Sequence, residues 1–234
     1  MLIRIRSTPV IQAPFLNDFN WLTHGFSLKD IPIERYVEAF QMSGVTIPNT
    51  KQIHSDRVVK ITKKEKNIIE ADAFITDQAN VVCMARTADC LPILLADTKR
   101  KVVGAVHAGW RGSVQKILVK TIEKMRTEFG TELTDLRIAF GPSIGGHCYQ
   151  VGEEVTRKLK ENALLEGPWL TAAQPRHWYL DLSMLNAHLL AQMEIQPEQV
   201  YRSLACTACD LEKFHSYRRE GGKKGEQVSF IVIR

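Results

Sequence analysis

The sequence predicts an α/β fold, and three observations carry that reading. Short apolar runs at 81–85, 91–96 and 102–106 are rich in branched residues and stop at polar or turn residues, as buried strands do. Residues 113–129 put Val114, Ile117, Leu118, Ile122, Met125 and Phe129 on one helical face, and Gly130 closes the run. Strand-like and helix-like stretches then alternate to the end with no internal repeat and no clear linker. One domain over residues 1–234 follows, and that length can bury a sizeable core.

The elements can be justified in order. Residues 2–6 alternate like a strand, and a loop with Pro14 and Trp21 leads to 24–27. Residues 33–42 suit a short helix ended near Gly44, and 58–61 suit a strand. In the helix at 113–129, Ser113 is the expected N-cap. Residues 136–140 read as a strand, followed by Gly141, Pro142, Gly145 and Gly146, a loop that can bring backbone close to a ligand. Helices are expected at 151–162 and 182–193, and late strands at 200–204 and 227–233.

Composition narrows the class. Hydrophobic residues at 44% and charged residues at 24% are ordinary for a soluble globular protein. No apolar run approaches the ~20 residues of a membrane helix, and the N-terminus lacks a continuous apolar signal core, so a cytoplasmic protein is expected. The net charge of +5 gathers at Lys63, Lys64 and Lys66 and at Arg218, Arg219, Lys223 and Lys224. These groups read as solvated loops or as attraction for a small anion. No long basic stripe interleaves with aromatics, which argues against nucleic acid as a partner. The five cysteines are an odd count and argue against a disulfide framework. Cys206 and Cys209 form one CxxC, and the sequence offers no second such pair to complete a zinc ribbon.

The polar exceptions in the central stretch are where chemistry would sit. Thr87, Ala88, Asp89 and Cys90 separate two apolar runs, and His107, Gly109, Trp110, Arg111 and Gly112 end the third. His54 begins another predicted strand. Zinc favours His nitrogen and Cys sulfur, so His54, Cys90 and His107 are a possible His2Cys set. Their spacings of 36 and 17 residues match no local finger, so the fold would have to assemble the site. The competing reading is a buried structural Cys and two ordinary strand-end histidines.

Seven motifs raise the first reading. They are QIHS at 52–55, ADAFIT at 71–76, ADCLPILLAD at 88–97, AVHAGWRG at 105–112, GPSIGGHCYQVGEEV at 141–155, LDLSMLN at 180–186 and CTACDLEKFHSYRREGGKKG at 206–225. In this order, from about residue 24 to the C-terminus, they resemble the YfiH-like laccase-domain family (polyphenol oxidase / purine nucleoside phosphorylase).

The resemblance implies a layered α/β sandwich with mixed sheets, distantly similar to cysteine-dependent toxin deamidases. It implies a zinc-dependent enzyme that cleaves adenosine, inosine, guanosine and methylthioadenosine with phosphate and also deaminates adenosine. It implies zinc on His54, Cys90 and His107, with nucleoside and phosphate as partners and the oligomeric state open. An ion so held can lower the pKa of a bound water toward neutrality, as attack on C6 of adenine requires. Arg111 is the candidate for phosphate, because its fork makes paired hydrogen bonds, and its alternative is an ion pair with Asp89 or Asp97. Asp89 is expected to orient a ligand His or to cap a turn. Lys29, Asp89, Cys148, Tyr149 and Arg218 are candidate substrate contacts. His24 is a weaker candidate, and Ser216 and Tyr217 are expected to help close the pocket.

Three departures from the family pattern stand out. HGFSLKD carries Leu28 and Lys29 where an arginine is usual, HCY at 147–149 stands for CCY, and FHSYRR places His215 where Phe is usual. Other readings remain at this level. Cys90 could be a nucleophile with His107 as its base, acting on an amide or a peptidoglycan precursor. A copper-dependent phenol oxidase would need more histidines than these seven, in HxH pairs that are absent. A non-enzymatic binding module would have no need of a metal with an open position.

Overall fold

The central hairpin explains the architecture. In the computed structural model, which describes residues 1–63, 67–222 and 225–234, strands Leu91–Asp97 and Val102–Ala108 are buried at every position. An antiparallel strand usually shows water on one face; this pair has none because both faces are covered. Ile93 and Leu95 face a helical layer, while Leu94 and Ala96 face a second sheet. That is why their sequence reads as continuous apolar runs rather than as alternation.

The hairpin lies at the middle of a six-stranded mixed sheet. Its order is Val200–Arg202, Leu136–Phe140, Leu91–Asp97, Val102–Ala108, Ala73–Thr76 and Val58–Lys60. The outer pair on each side is parallel and the rest are antiparallel. A five-stranded antiparallel sheet stacks on one face, in the order Leu2–Ile5, Thr8–Ile11, Leu22–Ser27, Gln227–Ile233 and Cys83–Thr87. Phe26, Cys83 and Ile231 from this sheet meet Phe74, Leu94, Val103 and Ala139 from the other. On the far face of the six-stranded sheet, helices Ile117–Phe129 and Leu182–Gln192 bury Ile117, Leu118, Ile122, Met125, Leu185 and Leu189. Helix Ile33–Ala39 covers the outside of the five-stranded sheet, with Tyr36 packed on Phe230 at 5.2 Å between ring centroids. The layers therefore run helix, sheet, sheet, helix, the expected sandwich with mixed sheets.

Two expected helices are corrected. Residues 113–129 form two pieces, Trp110–Val114 and Ile117–Phe129, because Lys116 takes the left-handed region at φ 60°. Ser113 is not the N-cap. It is buried, donates to the Ala108 carbonyl at 3.4 Å and accepts from Asn186 Nδ2 at 2.9 Å. The helix at 151–162 begins later, as Glu153–Glu161, since Gln150–Gly152 pairs with His177–Leu180 in a three-stranded sheet. The hairpin Leu170–Gln174 and His177–Leu180 carries little apolar alternation, with most of its residues exposed or half-buried, and its sequence signal is correspondingly weak. Of the predicted basic clusters, Lys64, Lys66, Lys223 and Lys224 lie outside the described residues.

Candidate functional site

Register brings two of the predicted ligands together. In the central hairpin Pro92 pairs with His107 and Leu91 with Ala108. Cys90, one residue before its strand, therefore lies beside the chain leaving the other strand at Gly109. A Cβ built at Gly109 would sit 3.0 Å from Cys90 Sγ, 3.5 Å from His54 Cδ2 and 3.8 Å from His107 Nε2. The absent side chain keeps a space in front of all three residues. Their ligand atoms lie within 4.8 Å of one another and could hold a metal ion. The His54 and His107 rings stand nearly perpendicular, 4.8 Å between centroids. His107 is buried, Cys90 half-buried and His54 exposed, so the group opens to solvent on the His54 side.

Asp72 builds this arrangement. It directly precedes strand Ala73–Thr76, where Ala73 pairs with Val106, and so lies next to His107. Its carbonyl accepts the His107 amide at 2.7 Å, and its Oδ1 lies 2.8 Å from His107 Nδ1. With Nδ1 committed to Asp72, Nε2 is the nitrogen turned toward Cys90 and the one a metal would take. The same carboxylate accepts from the amides of Ile53, His54 and Ser55 and from Ser55 Oγ at 2.6–3.3 Å. Those bonds hold the tight turn in which His54 takes φ 57°. Burial would raise the Asp72 carboxyl, but the bonds from His107 and Ser55 outweigh it and draw it to about 2. Sequence reasoning expected Asp89 to orient a ligand His; Asp72 does so. The signal was present as the aspartate of ADAFIT at 71–76.

The three groups also set one another's charge. Burial opposes ionisation of Cys90, yet hydrogen bonds from His107 and His54 draw its thiol down to about 6. Burial disfavours a charged His107, but Asp72 and Cys90 push it up to about 9. Thiolate is therefore the favoured form of Cys90 near neutral pH, as metal ligation or nucleophilic attack would need.

A second cluster lies apart in sequence from the first. The ligand atoms of His147, Cys148, Cys206 and Cys209 also fall within 4.8 Å of one another and could hold a metal. The CxxC at 206–209 lacked a second pair in the sequence; in space His147–Cys148 stands where that pair would be.

Residues 31–234 match the family described as multi-copper polyphenol oxidoreductase laccase. This chain belongs to that laccase family. Among its relatives is a purine nucleoside phosphorylase of Haemophilus influenzae, 34% identical over 232 residues, covering 97% of this chain and 91% of that one. Another is a purine nucleoside phosphorylase of Clostridium acetobutylicum, 34% identical over 184 residues, covering 78% of this chain and 75% of that one. The crystal structure of YlmD from Geobacillus stearothermophilus superposes with a TM-score of 0.84 at 25% identity, over 92% of this chain and 93% of that one. Family membership and the layered fold thus agree with the motif reading.

The remaining predicted residues of this laccase-family chain divide into two groups. Tyr149, Arg218 and Arg111 gather near Cys90. Burial raises the Tyr149 hydroxyl, and the charges of Cys90, Asp89, Arg218 and Arg111 all reach it. Arg218 lies 5.2 Å from the Tyr149 ring centroid and donates to the Gln150 carbonyl at 2.9 Å. Arg111 is half exposed, stacks on Trp110 at 4.3 Å and pairs with Glu154 at 3.2 Å, not with Asp89 or Asp97. Asp97 instead caps its own turn, accepting from the amides of Lys99 and Arg100.

The other group supports the fold. The buried Asp89 carboxylate accepts from Thr207 Oγ1 at 2.6 Å, Ser216 Oγ at 3.0 Å and the Arg218 amide at 2.7 Å, so it anchors the C-terminal loop. Lys29 Nζ donates to the Leu211 carbonyl at 2.9 Å on that same loop. Cys148 belongs to the second cluster, its Sγ 3.4 Å from Cys209 Sγ. His24 is buried and accepts the Ala13 amide at Nε2, a structural role. His215 pairs with Asp30 at 2.9 Å, and Tyr217 is exposed.

Proposed function

We propose that this chain is a zinc-dependent purine nucleoside phosphorylase, acting on adenosine, inosine, guanosine and methylthioadenosine, that also deaminates adenosine. The observation that carries the reading is the convergence of His54, Cys90 and His107 on one cleared space, with Asp72 behind them, in a chain whose relatives are named purine nucleoside phosphorylases. The donor set fits zinc: two imidazoles and one thiolate are three protein ligands, which leaves a position open for chemistry. Bound there, zinc would supply a Lewis acid and an acidified water.

The chain's own residues do the rest. Asp72 fixes His107 Nδ1 and the His54 turn, so both imidazoles are oriented in advance. Tyr149 and Arg218 form a wall that receives the nucleoside. Arg111 exchanges Glu154 for phosphate and holds it with its planar fork. As the base leaves, C1′ gains oxocarbenium character, and phosphate must approach from the opposite face of the sugar. Arg111 lies in the first turn of Trp110–Val114, two residues beyond Gly109, and that closeness to the cleared space supports the assignment. We place the reaction in the cytoplasm, a reducing compartment in which the five cysteines would stay outside disulfides. No helix among the described residues is long and apolar enough to cross a membrane.

One observation favours a second reading. Cys90, drawn down to about 6 beside His107, has the charge state of a thiol nucleophile with its partner, suited to an amide or peptidoglycan precursor. A multicopper phenol oxidase is disfavoured by its demand for histidines, of which the chain has seven.

The test is product analysis on adenosine and inosine with zinc-loaded and metal-stripped protein, each with and without phosphate. The expected result is free base released only with both zinc and phosphate, and ammonia from adenosine. Base release at equal rate without phosphate would overturn phosphorolysis. Full activity in stripped protein, abolished by thiol alkylation, would favour the Cys90 nucleophile.

A further inference from the structure

Two segments without regular structure meet beside the C-terminal loop. One joins strand Leu136–Phe140 to strand Gln150–Gly152, apart from a single turn at Gly146–Cys148. The other lies between Val200–Arg202 and Gln227–Ile233, where the described residues form no helix and no strand longer than one bridge. A connection of that length usually needs something to hold it.

A parallel bridge between Ser143 and Cys206 registers the two segments. The Thr207 amide donates to the Ser143 carbonyl at 3.0 Å, and the Ser143 amide to the Ala205 carbonyl at 3.4 Å. His147 and Cys148 thereby come to face Cys206 and Cys209. His147 Nε2 lies 3.3 Å from Cys209 Sγ, and Cys148 Sγ lies 3.4 Å from the same sulfur. The Gly145 amide donates to Cys206 Sγ at 3.1 Å, as amides do to metal-bound thiolates. A Cβ at Gly145 would lie 2.5 Å from His147 Cε1 and 3.4 Å from Cys206 Sγ, so glycine leaves room for the cluster. With Zn–S about 2.3 Å and Zn–N about 2.0 Å, one nitrogen and three sulfurs arranged tetrahedrally stand roughly 3.5–3.8 Å apart. The contacts at 3.3 and 3.4 Å are a few tenths of an ångström tighter, and all four ligand atoms lie within 4.8 Å of one another, so a small outward shift of the donors would admit the ion.

We propose that His147, Cys148, Cys206 and Cys209 bind one zinc in a closed Cys3His site, separate from His54, Cys90 and His107, which clamps the C-terminal loop to the 141–149 loop. Four protein donors leave no open position, so the site is structural rather than catalytic. What it clamps is specific. Thr207, between the two cysteines, donates to Asp89, the residue before Cys90. Arg219 donates to the carbonyls of Thr207 and Ala208 at 2.6 and 3.1 Å, and Ser216 and Arg218 also bond Asp89. The clamp holds the loop on which Asp89 is anchored, whatever substrate the neighbouring site takes.

The test is the zinc content of untagged protein, purified under reductant, loaded with zinc and dialysed. Wild type should hold about two zinc per chain, and His147→Ala, Cys209→Ser and His54→Ala should each hold about one. With cobalt in place of zinc, His54→Ala should keep most of the thiolate-to-metal absorption, because three of the thiolates remain ligated. Cysteine mapping supplies a readout that needs no variant: zinc should protect Cys148, Cys206 and Cys209 from alkylation in wild type, and a chelator should expose them. The proposal is overturned if wild type holds one zinc that Cys209→Ser leaves in place. It is also overturned if those three cysteines are alkylated at the same rate with and without zinc, or if Cys148 and Cys209 are recovered as a disulfide from zinc-loaded, reduced protein.

Discussion

His107 meets Asp72 twice, once through its backbone amide at 2.7 Å and once through Nδ1 at 2.8 Å. The first contact extends the pairing of strand Val102–Ala108 with Ala73–Thr76. The second uses that same placement to orient a ring. One strand register therefore sets both the position of a candidate ligand and the nitrogen it presents.

Asp72→Asn should weaken metal binding by about 10–100-fold, because the ring loses its charged partner and one of the two oxygens that serve His107 and the His54 turn becomes a donor. Competition with a chromophoric chelator measures this directly. An unchanged affinity would mean that Asp72 holds only the backbone.

Gly109→Ala should leave the fold intact and reduce turnover on the order of tenfold or more. The backbone there has φ −67°, which alanine adopts without strain, so the effect comes from the methyl group 3.0 Å from Cys90 Sγ. Thermal denaturation and steady-state kinetics separate the two. A large fall in Tm with normal turnover would contradict the cleared space.

Arg111→Lys keeps the charge and loses the planar fork. Turnover with phosphate should fall and the KM for phosphate should rise, while metal content holds. Loss of zinc in this variant would make Arg111 structural.

His24 should set part of the acid stability. Burial pulls it from 6.5 down to about 4, and the Ala13 amide that donates to Nε2 suits the neutral ring. The unfolded chain takes up a proton below 6.5 and the folded one does not, so stability is complete above 6.5 and falls as the pH drops toward 4. The loss from this group is on the order of 3 kcal/mol. His24→Gln keeps an acceptor but cannot titrate, and denaturant unfolding should show a shallower fall over that range. A slope equal to wild type would rule the residue out.

Lys116→Gly should stabilise the protein slightly, by about 0.5–1 kcal/mol, since φ 60° strains any residue with a Cβ. Lys116→Ala should show no such gain. Equal Tm shifts for the two would assign the effect to the lysine side chain instead.

Much of the fold could be read from local pattern. The runs at 91–96 and 102–106, the strands at 136–140 and 227–233 and the helix at 182–193 each carry their own period and stop signals, and they form within a residue or two of expectation. Ser113 misled because a serine before an apolar face also suits a buried contact, here to Asn186 on a helix 73 residues away. The break at Lys116 left no mark, because lysine favours helices and only packing put it in the left-handed region.

The sites divide in the same way. By itself the sequence determined the fold class, the family through its ordered motifs, and the names of His54, Cys90, His107 and Arg111 as chemical candidates. Those depend on residue type and local order, which a chain carries in one dimension. Only the tertiary structure decided that Asp72 rather than Asp89 orients His107, that Arg111 pairs with Glu154, and that His147–Cys148 completes the lone CxxC. Each of those is a contact between segments far apart in sequence, from 35 residues for Asp72 and His107 to 62 for His147 and Cys209. Such partners are chosen by strand register and loop closure, which the buried sheets impose on the whole chain at once and no local spacing encodes.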